Sequence, residues 1–157
     1  MSPREGALLP ALGVDAGAVR VGLAASDPTG TVASPVAVLA RRDPAALWER
    51  VRREAATRGA RCVVVGLPRR LDGSEGAEAE AARALAAEAA KQTGLPVELW
   101  DERFTSAQAE RALIAVGRRR ERRRQTIDAV AAALMLQSWL DRIATPPVGV
   151  APAATGR

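Results

Sequence analysis

Four acidic side chains stand where an apolar segment of the sequence begins or ends. Asp15 closes the segment LLPALGVD (8–15), and Asp101 and Glu102 directly follow PVELW (96–100). Asp128 lies near the start of a long, mostly apolar segment. A carboxylate beside a hydrophobic core is costly unless it is paired or bound to a metal ion. Simpler explanations exist for each: a turn at Asp15, a charged strand-to-helix junction at 101–102, and helix-dipole stabilisation of Asp128.

The set of metal ligands in this chain is narrow. There is no histidine, and Cys62 is the only cysteine. A metal site must therefore use oxygen ligands or this single thiol, and oxygen ligands favour magnesium or manganese over zinc. Cys62 lies inside the unbroken apolar run RCVVVGL (61–67), so we expect it to be buried as packing rather than to act in redox chemistry.

The positive charge is concentrated in one short segment. The net charge is +5, and RRRERRR (118–124) alone carries +5. Without this segment the 23 basic and 18 acidic residues become 17 of each. One local basic patch indicates phosphate contact, and a solvated charged loop is the alternative. The arginines concerned are Arg118, Arg119, Arg120, Arg122, Arg123 and Arg124.

The segments that carry these residues alternate between strand and helix patterns. Residues 8–15, 19–26 and 32–39 predict three strands joined by short turns, which make an antiparallel meander. A helix should follow from Pro44, capped by Asp43 and ended by Gly59. The run at 61–67 is typical of a central strand covered on both faces.

The second half of the chain predicts further alternation. An alanine-rich helix should start near Asp72 and end at Thr93, and residues 96–100 should form a fifth strand. Thr105 and Gln108 form a capping box for a short helix that ends near Gly117. A long buried helix should span 126–143. This order predicts an α/β fold, a mixed five-stranded sheet with helices on both faces.

Such a fold should bring the acidic residues together. The first strand of the meander is expected to be central, within reach of the fifth strand and the last helix. Strand alternation allows only one of Asp101 and Glu102 to face the site, and Glu102 is our choice. Carboxylates at such short distances repel each other unless a cation lies between them. We therefore predict that Asp15, Glu102 and Asp128 bind Mg²⁺ or Mn²⁺, with two ions able to activate water and stabilise a leaving oxygen.

Four sequence blocks resemble one known family. They are LGVDAGAVRVGLAASDPTG (12–30), VVVGLPRRLDGSEG (63–76), DERFTSAQAE (101–110) and IDAVAAALMLQSWLD (127–141). In this order, they are similar to the YqgF or RuvX family, whose members are described as Holliday-junction resolvases and as pre-16S ribosomal RNA nucleases. The match covers nearly the whole chain except its two ends.

The resemblance implies a ribonuclease-H-like nuclease domain with catalytic acids at Asp15, in the Asp101–Glu102 pair and at Asp128. It implies a metal-dependent endonuclease of two-metal type that acts on four-way DNA junctions or on precursor 16S ribosomal RNA. We expect nucleic-acid contacts from the arginine run and from Arg20, Arg69, Arg70 and Arg103. Paired cuts at a junction would favour a homodimer.

Length and composition limit the alternatives. The 157 residues suit one domain, predicted at 1–144, and the Pro/Gly/Ala-rich residues 145–157 predict a disordered tail. No apolar run is long enough for a membrane span, and no secretory signal is evident, so we expect a cytoplasmic protein. A non-catalytic RNA-binding ribosome-assembly factor is one rival. An actin-like phosphotransferase is another, but one lobe and the lack of a GxxxxGK[ST] motif argue against it.

Overall fold

The computed structural model describes residues 2–104 and 120–144, with the backbone alone at 104 and 120–127. Five strands and four α-helices make up these residues. The strands are β1 (Ala11–Ala16), β2 (Arg20–Ser26), β3 (Ala33–Ala40), β4 (Cys62–Leu67) and β5 (Val97–Asp101). The helices are α1 (Pro3–Gly6), α2 (Pro44–Arg58), α3 (Ala77–Thr93) and α4 (Arg120–Ala144), with a 3₁₀ turn at Glu102–Phe104.

The five strands form one mixed sheet in the order β3-β2-β1-β4-β5. β1 pairs antiparallel with β2, and β2 antiparallel with β3, so the predicted meander is confirmed. β1 also pairs parallel with β4, and β4 parallel with β5. The first strand is central, as predicted. The carboxyl ends of three parallel strands therefore meet at one edge of the sheet.

Helices cover both faces of the sheet, which confirms the α/β architecture. Strand alternation sends Leu12 and Val14 to one face, where they pack with α2 and α3. Ala11 faces the other side, where it packs with residues of α4. Gly13 also faces α4, because a Cβ at this position would lie 2.9 Å from Leu136 Cβ. The small residues on this face let the long helix approach the sheet closely.

Cys62 is fully buried in β4, as predicted. Trp48 and Trp139 are also in the core, at 5% and 2% exposed. Burial raises the pKa of the Cys62 thiol to about 12, with the charge of Glu98 as a second cause, so the thiol stays neutral. Trp139 Nε1 donates a hydrogen bond to Glu98 Oε2 at 2.9 Å. The second helix also begins as predicted, because Asp43 accepts a hydrogen bond from the amide of Ala46.

Three element boundaries differ from the sequence prediction by more than one residue. β1 begins at Ala11 because Pro10 cannot donate to a strand ladder, and α1 precedes it with a capping box from Ser2. α3 begins only at Ala77, because Asp72 accepts a hydrogen bond from the amide of Ser74 at 2.8 Å and so forms a turn. The last helix begins at Arg120, six residues before the predicted start.

Some predictions lie outside the described residues. These are the short helix from Thr105 to Gly117, the side chains of Arg118 and Arg119, and the tail at 145–157. Within the part of the chain that the structure describes, no helix has the length and hydropathy needed to cross a membrane.

Candidate active site

Two acidic side chains meet at the carboxyl edge of the parallel strands. Asp15 lies near the end of β1, and Glu102 follows β5. Gly66 of β4 lies between them. A Cβ on Gly66 would overlap Glu102 Oε1 and would lie 3.1 Å from Asp15 Oδ1. The absence of a side chain at Gly66 therefore makes the space in which the two carboxyl groups come together.

Glu102 is in an environment that disfavours its charge. Burial, a hydrogen bond with Asp15 and the negative charges of Asp15, Glu78 and Asp101 raise the pKa of Glu102 to about 9. Without a cation, the Asp15–Glu102 pair is therefore favoured at neutral pH with a proton in the hydrogen bond between them. Two carboxyl groups in contact that share one proton are a pair whose repulsion a cation would also relieve.

Asp101, the last residue of β5, is hydrogen-bonded to Arg103. Arg103 donates to Asp101 from its amide at 2.9 Å, from Nε at 2.9 Å and from Nη2 at 2.6 Å. These bonds to Arg103, and the positive charges of Arg103 and Arg69, lower the pKa of Asp101 despite its partial burial. Asp101 is thus an ionised partner of Arg103, whereas Glu102 contacts Asp15.

Asp128 lies close to the β1–β2 hairpin, where it pairs with an arginine. Arg20 Nε donates to Asp128 Oδ2 at 3.1 Å. A Cβ on Gly22, which pairs with Asp15 across the hairpin, would overlap the carbonyl oxygen of Asp128. This contact brings α4 against β2 beside the acid pair. Because α4 starts at Arg120, Asp128 is in its third turn, and a first-turn dipole effect does not explain its position.

The four acidic residues lie near one another but do not form one cluster. Asp15 and Glu102 touch, while Asp128 is engaged by Arg20 and Asp101 by Arg103. Among residues 2–104 and 120–144, no group of three Asp, Glu or Cys side chains is arranged to hold a metal ion.

Two arginines of the β4–α3 loop line the space next to this edge. Arg69 lies 3.5 Å from Glu75 and 3.9 Å from Asp101, yet its Nε is buried without a hydrogen-bond partner among the described residues. Arg70 Nη1 makes a long hydrogen bond of 3.4 Å to Ser74 Oγ. For the arginine run, the structure describes only the backbone of Arg120, Arg122, Arg123 and Arg124, which lie in α4.

Two residues near the acid pair were missed by sequence reasoning. Glu78, in the first turn of α3, lines a cavity with Glu102 and contributes to its raised pKa. An acidic residue in a first helical turn is common on dipole grounds alone, so its type carried no signal. Arg41 lines the same cavity and donates to the carbonyl of Gly17 at 2.8 Å. Only the fold brings residues 41 and 78 to one place.

The mixed five-stranded sheet in the order β3-β2-β1-β4-β5, with helices on both faces, has the ribonuclease-H-like fold. Two solved structures support this fold: RuvC of T. thermophilus in complex with a Holliday-junction substrate, and Thermus thermophilus RuvC. The first has a TM-score of 0.53 and 20% identity, and the match covers 86% of this chain and 96% of that chain. The second has a TM-score of 0.52 and 16% identity, with coverage of 87% and 98%.

The chain belongs to the RuvX family, described as Holliday junction resolvase, whose model matches residues 10–142. A relative from Pelotomaculum thermopropionicum, named "Putative pre-16S rRNA nuclease", is 46% identical over 136 residues, which are 86% of this chain and 88% of the relative. A relative of the same name from Cereibacter sphaeroides is 41% identical over 141 residues, with coverage of 90% and 86%.

Proposed function

We propose that this protein is a metal-dependent endonuclease that hydrolyses phosphodiester bonds in structured nucleic acid. The observation that carries the proposal is the contact of Asp15 and Glu102 above Gly66. Such a pair at the carboxyl edge of a parallel sheet lies where sites form in α/β folds. Family membership supports the same reaction class.

The acid pair suits a hard divalent cation. Mg²⁺ is typically bound by one or two carboxylates together with water and phosphate oxygens. We propose that Asp15 and Glu102 hold Mg²⁺ or Mn²⁺, with Asp128 as a third ligand. When bound, the ion supplies activation of water and neutralisation of charge on the phosphate. Proton loss from Glu102 accompanies this binding, since a ligating carboxyl must be ionised.

The neighbouring arginines have separate roles in this proposal. Arg20 holds the Asp128 carboxylate until the substrate and cation are in place. Arg103 is positioned by Asp101, which makes Asp101 a positioning residue rather than a ligand. Arg69, Arg70 and the arginine run at 118–124 contact phosphates of the substrate. Arginine suits this role because its planar fork can donate two parallel hydrogen bonds to a phosphate.

The substrate we propose is a four-way DNA junction or precursor 16S ribosomal RNA. The family description supports the junction, and the names of the relatives support the ribosomal RNA precursor. Cleavage of a junction needs two cuts, so a homodimer would act on DNA. We propose that the protein acts in the cytoplasm, where it would meet either substrate.

A cleavage assay with purified protein tests this function. Four-way DNA junctions and 16S precursors are incubated with Mg²⁺, Mn²⁺ or a chelator, and the Asp15→Asn variant is the control. We expect cleavage only with a divalent ion and none by the variant, which should melt in chelator at the same or a higher temperature than the parent. Parent-like cleavage by Asp15→Asn would rule out the carboxylate mechanism. Tight RNA binding without cleavage under every condition would favour the assembly-factor alternative.

A further inference from the structure

Two cavities adjoin each other beside the acid pair. One, of about 390 Å³, lies between the β1–β2 turn and α3, and Glu102 lines it. The other, of about 310 Å³, lies against Arg69 and Arg70. They share Pro68, Ala77 and Glu78 in their linings, so the two cavities lie side by side. We call them the small-residue cavity and the arginine cavity.

The small-residue cavity has the lining expected for a flat, neutral ring. Ala16, Ala18 and Ala81 line it with short apolar side chains that leave room between them. Its polar groups are Arg41, whose Nη1 is anchored on the Gly17 carbonyl, and the carboxyl groups of Glu78 and Glu102. With one arginine against two carboxyl groups, this cavity suits a phosphate less well than the neighbouring cavity, which two arginines line. A nucleobase is uncharged and offers amino donors to a carboxylate and acceptors to a guanidinium.

The arginine cavity has a more positive lining, because Arg69 and Arg70 outnumber Glu78 among the described residues that line it. The Nε of Arg69, buried and without a hydrogen-bond partner in the described part of the chain, belongs to a side chain that lines this cavity. A Cβ on Gly76 would lie 2.7 Å from Arg70 Nη2, so the glycine makes room for the second guanidinium. A ligand cannot reach the buried Nε of Arg69, so an anion in the cavity would accept from the other nitrogens of this partly exposed side chain. A phosphate has both the charge and the acceptor geometry for two arginines.

We infer that the two cavities together bind one unpaired nucleotide of the substrate, its base in the small-residue cavity and a phosphate against Arg69 and Arg70. The inference rests on the proposed function, since it takes the ligand to be part of the cleaved nucleic acid. Glu102 belongs both to the base site and to the acid pair, so the bound nucleotide lies next to the point of hydrolysis.

This subsite gives a physical reason for selecting structured substrates. A base inside a duplex must be unstacked and unpaired before it can enter, which costs a few kcal/mol. At a branch point or a loop that cost is lower, because the base is already unpaired. The protein would therefore prefer nucleic acid with an unpaired nucleotide over a continuous duplex, whether DNA or RNA.

Fluorescence of a base analogue tests the subsite. Parent protein in chelator is titrated into duplexes that carry one unpaired 2-aminopurine, made as DNA and as RNA. We expect 2-aminopurine fluorescence to rise on binding, because the base leaves its stack and none of the described residues that line the cavity is aromatic. Ala81→Leu fills the cavity and should remove the rise and weaken binding roughly tenfold or more. Ala87→Leu, at an exposed position of the same helix, should match the parent.

Further variants keep the outcomes distinct. Ala18→Leu, on the exposed turn across the cavity, should repeat the effect of Ala81→Leu and so guards against a folding defect at α3. Arg69→Gln with Arg70→Gln should flatten the slope of log K against log[salt] by roughly 0.7–0.9 for each phosphate that is no longer neutralised. Fluorescence that rises equally in the parent, Ala81→Leu and Ala18→Leu overturns the inference, as does a parent that shows no rise. Cleavage is measured separately with Mn²⁺, so a fluorescence result that holds without cleavage rejects only the nuclease proposal.

Discussion

The partly buried carboxyl of Glu102 should make the stability of the metal-free protein depend on pH. In the unfolded chain this group ionises near its usual 4.5, but in the folded chain only near 9. Between these values the folded chain holds one proton more than the unfolded chain, so the free energy of unfolding falls as pH rises. The full effect of one proton is about 1.4 kcal/mol for each pH unit.

This slope gives the loss of unfolding free energy over an experimentally accessible pH range. From about pH 5 to about pH 8, three pH units set an upper limit of about 4 kcal/mol. Glu102 is only partly buried, and water that reaches the carboxylate lowers the cost of ionising it. We therefore expect a loss of about 2 kcal/mol. Glu102→Gln removes the titration and keeps a donor to Asp15, so this variant should be nearly as stable as the parent at the lower pH and about 2 kcal/mol more stable at the higher.

Urea unfolding in chelator across this pH range measures the effect. Glu49→Gln is the matched control, because it removes the same charge from an exposed position of α2. Its pH profile should follow that of the parent, whereas the profile of Glu102→Gln should be flatter. If the parent and Glu102→Gln lose stability in parallel as pH rises, then Glu102 is not the group responsible and its contact with Asp15 does not set the pH dependence of folding.

Three further predictions address the surroundings of the site. Gly22→Ala should lose about 1–3 kcal/mol in urea unfolding, because its Cβ meets the backbone of α4. Gly66→Ala should stay within about 1 kcal/mol but slow cleavage, because its Cβ meets only the movable side-chain ends of Glu102 and Asp15. Equal destabilisation of both would contradict this. Asp101→Asn should retain measurable cleavage with Mn²⁺ and Glu102→Gln should not, and the reverse order in a rate assay would exchange their roles. Neutral residues at 118–120 and 122–124 should weaken binding to all nucleic-acid sequences alike. They should also flatten the slope of log K against log[salt] by roughly 0.7–0.9 for each phosphate that is no longer neutralised. An unchanged slope would mean that this segment is solvated and contacts no phosphate.

Much of the fold could be predicted from the sequence because it depends on local patterns. The three short apolar segments with turns between them predicted the meander, and the run at 61–67 predicted a strand buried on both faces; both are confirmed. Helix α2 followed from Asp43, Pro44 and Gly59, whose capping roles depend on neighbours within four residues. The start of α3 was wrong, because Asp72 can satisfy a turn as well as a helix cap, and only the loop around it decides between them.

The sequence by itself indicated which residue types were available for the site. The lack of histidine, the acids at segment ends and the four family blocks predicted a site of carboxylates and arginines, and strand alternation predicted that Asp101 and Glu102 face different sides. Tertiary structure alone decided the partners: Glu102 lies against Asp15 because Gly66 leaves room for it, while Asp128 pairs with Arg20, 108 positions away. Glu78 of α3 and Arg41, which donates to the Gly17 carbonyl, come beside Glu102 only in the folded chain. Such contacts depend on the distances between elements remote in sequence, and periodicity, capping and turn residues carry no information about those distances.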